Sequence, residues 1–167
     1  MFSIYTGGGK GKTTSAIGLI IRAIGASKKI ALIQFLKPDK SAEESILKTL
    51  NVKIKRFGKT GFIITKPKKE DIKEARRAIN YINKIIDNNE TDLLVLDEIN
   101  LAIYFKLISI EDAKEIINKC KEKNIELVFT GRNASKELIK IADLVSEIKE
   151  IKHYYNKGIK ARIGFEY

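Results

Sequence analysis

The residues Thr6-Gly7-Gly8-Gly9-Lys10-Gly11-Lys12-Thr13-Thr14 follow the apolar start Phe2-Ser3-Ile4-Tyr5 and precede a helical pattern. Glycines let successive backbone N–H groups turn inward, a following helix adds its positive end, and Lys12 adds a full charge. Such a loop cradles a polyphosphate, with ATP the natural guest. The usual pattern G-x-x-x-x-G-K-[ST] requires glycine where this chain has Thr6, so the match is G-x-x-x-G-K-T, one residue shorter. The shortening points away from ordinary γ-phosphate cleavage. Thr13 supplies the hydroxyl that would meet Mg²⁺ or Mn²⁺, and Lys10 a second cation beside the phosphates.

Two further clusters suit the same chemistry. Asp97 ends the apolar run Leu93-Leu94-Val95-Leu96 and matches an acid that holds the metal directly or through water, with Glu98 beside it to position a group or balance charge. Thr130-Gly131-Arg132-Asn133 falls between a strand and a helix and can present an arginine and backbone donors. The lone histidine, His153, makes no metal site.

These residues need a scaffold that brings them together, and the alternation of patterns describes one. Apolar strand-like runs at Phe2–Tyr5, Ile30–Phe35, Val52–Phe57, Leu93–Leu96, Glu126–Thr130, Leu144–Ile148 and Ala161–Glu166 alternate with helical stretches. The helices are expected from Lys12, near Glu43–Leu50, about Lys69–Ile86, over Ile110–Lys123 and over Ser135–Ile141. This predicts a P-loop, RecA-like α/β fold with a mainly parallel sheet flanked by helices, its ligand at the carboxyl ends of the strands. The stretch Gly58–Lys69 has no clean period and reads as an irregular loop of functional length. Phe57 and Phe62 bracket much of it.

With 167 residues the chain is expected to form a single domain over 1–167. The apolar run Ala16–Ala26 is broken by Arg22 and two glycines, which argues against a membrane span or a signal peptide and for a cytoplasmic protein. The single cysteine, Cys120, excludes an intrachain disulfide. The net charge of +11 raises the question of nucleic acid. Lysine dominates, however, and is interleaved with Glu and Asp in the helices, with no arginine-rich arm, so the pattern argues against a nucleic-acid partner. Three readings stay open on these residues: a group transferase, a small-molecule phosphotransferase or NTPase, and a RecA-like DNA-binding ATPase.

Taken together, the ordered motifs resemble the P-loop type ATP:corrinoid adenosyltransferases, which act on cob(I)alamin or cob(I)yrinic acid a,c-diamide. The likeness is carried by the loop Tyr5–Thr14, where the family usually has Asn at the position of Gly8, and by Ile33-Gln34-Phe35-Leu36-Lys37. It continues through Leu96-Asp97-Glu98-Ile99-Asn100, Thr130-Gly131-Arg132, Ala142-Asp143-Leu144-Val145, and Lys152-His153 followed by Lys157-Gly158-Ile159. The resemblance implies that a Co(I) corrinoid attacks the 5′ carbon of ATP and expels triphosphate, with ATP bound in reverse relative to most P-loop enzymes. It implies ATP contacts from Thr6, Gly7, Gly8, Gly9, Lys10, Gly11, Lys12, Thr13, Thr14 and Arg132. Lys12, Lys10 and Glu98 would be catalytic, and Thr13 and Asp97 would hold the metal. An external electron donor and a homodimer are implied as well. The family's Gly-x-Gly-Phe-Thr-Trp segment, which faces the corrinoid, corresponds to Gly58-Lys59-Thr60-Gly61-Phe62-Ile63-Ile64. Phe62 keeps the aromatic, while Ile64 replaces the tryptophan.

Overall fold

The computed structural model describes residues 1–37, 41–58 and 67–165. Six strands, β1 (Phe2–Thr6), β2 (Ile30–Phe35), β3 (Lys53–Phe57), β4 (Leu93–Asp97), β5 (Glu126–Thr130) and β6 (Leu144–Glu147), form one sheet. Its order is β3-β2-β4-β5-β1-β6 and every pairing is parallel. The helices are α1 (Lys12–Gly25), α2 (Glu43–Thr49), α3 (Lys69–Asp87), α4 (Ile99–Tyr104), α5 (Ile110–Glu122) and α6 (Lys136–Ile141). A short 3-10 helix follows at Tyr154–Lys157.

The continuous apolar runs of the inner strands exist because both faces of the sheet are covered. Side chains alternate between the faces. Phe2, Ile4, Ala31, Ile33, Phe35, Leu94, Leu96, Leu127 and Phe129 pack with apolar residues of α3 to α6. Ile30, Leu32, Leu93, Val95 and Val128 pack on the other face with Ala16 and Ile20 of α1 and Leu47 of α2. Helix α3 buries Ala75, Ala78, Ile79, Ile82, Ile85 and Ile86, the spacing of one helical stripe.

The register carries this alternation to the carboxyl edge. Leu96 is level with Phe129, so Asp97 and Thr130 are the next residues on adjacent strands, and Gln34 pairs with Asp97 on the other side. Gln34, Asp97 and Thr130 continue the parity of Leu32, Val95 and Val128, so all three belong to the face that α1 covers.

Among the described residues, five of the eight non-glycine positions with positive φ, Ser27, Asn51, Asn89, Lys106 and Asn124, each follow the C-cap of a helix. The other three, Leu36, Glu98 and Asn133, lie just beyond the ends of β2, β4 and β5.

The strand expected over Ala161–Glu166 is not formed among its described residues. Residues 161–165 turn, with Phe165 N–H donating to Arg162 O at 3.2 Å and Gly164 at φ 77°. Ile163 and Phe165 stay exposed, so the alternation there has no sheet to bury it. Helix α4, not expected from the sequence, starts directly from Glu98.

Candidate functional site

The glycine loop turns between β1 and α1 against the chain that leaves β6. Ile148 N–H donates to Thr6 O and Gly9 N–H to Ile148 O, each at 2.8 Å. Gly7 has φ 106°, and a Cβ there would overlap the Ile148 carbonyl and lie 2.8 Å from its nitrogen. Gly8 faces open space and is exposed, so this position has room for a larger side chain.

Helix α1 has no side-chain cap and no acidic residue in its first turn. By contrast α3, α5 and α6 each carry acidic residues there, and Ser109 and Ser135 cap the last two. The first amides of α1 therefore have no side-chain cap and no acidic residue of the helix's own first turn, an arrangement suited to an external anion. Lys12 is buried beside them, its Nζ donating to Gly9 O at 2.8 Å. Burial lowers its pKa, Glu98 opposes that shift, and the nearby Arg132 cation reinforces it.

Asp97 is the focus of the strand ends. It is 0% exposed, and four groups donate to it. Oδ1 accepts from the hydroxyls of Thr130 at 2.6 Å and Thr13 at 2.8 Å. Oδ2 accepts from Lys37 Nζ at 2.7 Å and Gln34 Nε2 at 3.1 Å. Burial pushes this carboxyl up, but the Lys37 charge and the hydrogen bonds from Lys37, Thr130 and Thr13 outweigh it and hold the pKa below the usual range. Glu98 behaves oppositely: burial, then the neighbouring Asp97 charge, raise its pKa against Lys37, Lys12 and Arg132. Two adjacent acids are thus driven apart in acidity by their surroundings.

Glu98 reaches this place through a left-handed backbone, φ 62°, and its N–H donates to Thr130 Oγ1 at 3.0 Å. Its carboxylate sits against Gly131, where a Cβ would come within 3.1 Å of Oε2. Asn100 Nδ2 donates to Gly131 O at 3.4 Å and ties down the loop that bears the exposed Arg132.

The structure thus gathers Thr6, Lys12, Thr13, Asp97 and Glu98 at one edge. Thr14 and Lys10 are exposed, and Lys10 Nζ donates to Tyr154 OH at 2.8 Å. The Arg162 guanidinium lies 5.2 Å from the centroid of the same ring. His153 uses Nδ1 to accept from Tyr155 N–H at 3.0 Å and caps the 3-10 helix. Phe57 is a core residue, 5.9 Å from the Tyr81 ring. Phe62 and Ile64 lie outside the described residues. The site roles not assigned from sequence are those of Lys37, Gln34, Tyr154 and the hydroxyl of Thr130, itself part of the Thr130–Asn133 cluster. Gln34 and Lys37 belong to the Ile33–Lys37 motif, but their convergence on Asp97 depends on strand order.

An all-parallel sheet with a glycine loop between its first strand and first helix is a P-loop-type fold. The family model for ATP:corrinoid adenosyltransferase BtuR/CobO/CobP matches residues 1–167. The chain is 30% identical over 166 residues to the corrinoid adenosyltransferase of Escherichia coli (strain K12), covering 98% of this chain and 84% of that protein. It is 33% identical over 173 residues to a corrinoid adenosyltransferase of a Sinorhizobium species, covering 98% and 78%. Identity to the corrinoid adenosyltransferase CobA of Salmonella typhimurium is 29% over 166 residues, covering 98% and 84%. The chain belongs to the ATP:corrinoid adenosyltransferase family, and it is an enzyme of the alkyl-transferring kind. No helix among the described residues is long and apolar enough to cross a membrane.

Proposed function

We propose that this protein, acting as one domain over residues 1–167, transfers the 5′-deoxyadenosyl group of ATP to the Co(I) centre of a corrinoid. The observation that carries the reading is the uncapped start of α1 with Lys12 beside it, in a chain matched along its length by this family. The cobalt lone pair forms the Co–C5′ bond, the C5′–O5′ bond breaks, and its electron pair leaves on triphosphate. Charge grows on the departing phosphates, where the α1 amides, Lys12 and Lys10 stabilise it more than in the ground state. The nucleophile carries no proton, so the reaction needs no general base.

The oxygens of Thr13 and Asp97 are of the hard type that Mg²⁺ or Mn²⁺ prefers. Thr13 donates its proton to Asp97 Oδ1, which leaves its oxygen lone pairs for a cation. Both oxygens of Asp97 are already engaged by protein donors, which favours a water-mediated role for this carboxylate. The cation, when bound, neutralises charge on the leaving triphosphate. Arg132 is proposed to meet ATP, and Phe62 and Ile64 to face the corrinoid. An electron donor outside this chain would supply Co(I), and the working assembly is proposed to be a cytoplasmic homodimer. The whole-length family match favours this reading over phosphotransfer or DNA binding.

Anaerobic mixing of the protein with MgATP and chemically reduced cob(I)alamin tests the reading. The visible spectrum should change to that of an alkylcobalamin. Loss of ATP with no cobalt–carbon product would sink it.

A further inference from the structure

We propose that Lys37 and the divalent cation are alternative counter-ions of Asp97: the Lys37 ammonium pairs with the buried carboxylate that holds the Thr13 hydroxyl until the cation arrives, and then yields. The proposal rests on the reading of Thr13 and Asp97 as the metal end of the site.

A buried carboxylate without a counter-charge is costly, and Asp97 is 0% exposed. Among the described residues the positive charge in direct contact with it is Lys37 Nζ, 2.7 Å from Oδ2, while Lys12 acts on it without a direct contact. A cation held by Thr13 would share the Asp97 carboxylate with that ammonium, Thr13 on Oδ1 and Lys37 on Oδ2, in surroundings that screen poorly. The two positive charges oppose each other there, so binding one weakens the other.

The four donors differ in their freedom to move. Thr130 and Gln34 are strand residues at 0% and 1% exposure. Lys37 lies beyond the end of β2, and its side chain is 27% exposed while its ammonium meets the buried Asp97. It can therefore withdraw its charge without disturbing the sheet.

The backbone is bent to deliver it. Leu36, a bulky residue, adopts φ 56°, a strained conformation that persists where its surroundings fix it. Leu36 N–H donates to Phe57 O at 2.9 Å. A Cβ at Gly58 would come within 2.9 Å of Lys37 N, so the chain after β3 closes directly over this turn. The left-handed turn at Leu36 sends Lys37 back across the strand ends toward β4.

Thermal unfolding of the full chain with Mn²⁺ alone, without nucleotide or corrinoid, tests the exchange. The wild type should respond little to Mn²⁺. Lys37→Met should melt roughly 10 °C lower in EDTA, because it strands a buried charge, and Mn²⁺ should restore more than half of that loss. Its Mn²⁺ affinity, read by electron paramagnetic resonance, should exceed the wild type's by about tenfold or more, the effect of removing a competing adjacent charge. The double variant Lys37→Met/Asp97→Asn should lose the Mn²⁺ response. Should Lys37→Met not fold in EDTA, refolding it with and without Mn²⁺ decides the same question, recovery with Mn²⁺ alone supporting the exchange and recovery in neither overturning it. A Lys37→Met protein with wild-type Mn²⁺ affinity, or with a loss of stability that Mn²⁺ leaves untouched, also overturns it. None of these measurements involves ATP or corrinoid, so the exchange and the adenosyl transfer stand or fall separately.

Discussion

The Thr130 hydroxyl lies 2.6 Å from Asp97 Oδ1, donating to it while accepting the N–H of Glu98 at 3.0 Å. Strand β5 separates β1 from β4, and Thr130, level with Tyr5, helps tie the glycine-loop strand to the acidic turn. Thr130→Val keeps the shape and removes both bonds, leaving the Glu98 N–H and one Asp97 lone pair short of a partner. The expected cost is about 1–3 kcal/mol in urea unfolding. A variant as stable as the wild type would show that this hydroxyl is not what holds the turn.

The glycines of the loop should respond unequally. Gly7→Ala meets both a left-handed backbone and the Ile148 peptide, and should lose more than about 1 kcal/mol. Gly8→Asn enters open space and should melt near the wild-type temperature while retaining activity. Equal losses from the two changes would contradict the packing of the loop against residue 148.

Lys12→Met tests the leaving-group role. The side chain donates to a loop carbonyl, so the fold should survive its loss. Turnover should fall by about a hundredfold or more, the scale for removing a charge that acts on the developing anion. Circular dichroism and melting temperature separate that effect from unfolding.

Glu98 gives a pH dependence of definite sign. Its pKa is raised in the folded protein by burial and by Asp97, so the unfolded chain releases the proton first as pH rises past about 4.3. The folded state is favoured below that value and loses stability as pH climbs to the folded pKa, beyond which the penalty is constant. Glu98→Gln removes the titration, so its stability relative to wild type should be greater at pH 7 than at pH 4. A pH-independent difference in denaturation midpoints would contradict this environment for Glu98.

Cys120 is 1% exposed, and burial pushes its thiol up to about 12. At pH 8 only about one in ten thousand molecules carries a thiolate there. Alkylation by iodoacetamide should therefore be slow in the native protein and should track unfolding in denaturant. Rapid native labelling would contradict its burial.

Much of this arrangement can be read from the chain because its strongest signals are local. The runs Ile30–Ile33 and Leu93–Leu96 are apolar on both faces, as a covered parallel strand must be, and the apolar stripe of Lys69–Asp87 has a helical period. Lys12 and Thr13 are legible because loop, strand and helix are consecutive in sequence. Lys37 is different: its partner, Asp97, is 60 residues away on the adjacent strand, and the left-handed turn at Leu36 that aims it has no glycine to announce it. Helix α4 is six residues long and begins from another left-handed residue, which conceals its start. The alternation after Ala161 reads as a strand, but Arg162 and Phe165 fold on each other, the guanidinium 4.9 Å from the ring centroid.

The central claim is that the loop holds a triphosphate leaving group. Its most direct test is a single-turnover reaction of the protein with reduced cobalamin and MgATP carrying ¹³C at the 5′ carbon, read by ¹³C and ³¹P resonance in one sample. Adenosyl transfer predicts a cobalt-bound 5′ carbon and intact triphosphate in equal amounts. A 5′ carbon still bonded to oxygen, with ADP or orthophosphate as the phosphate product, would contradict it.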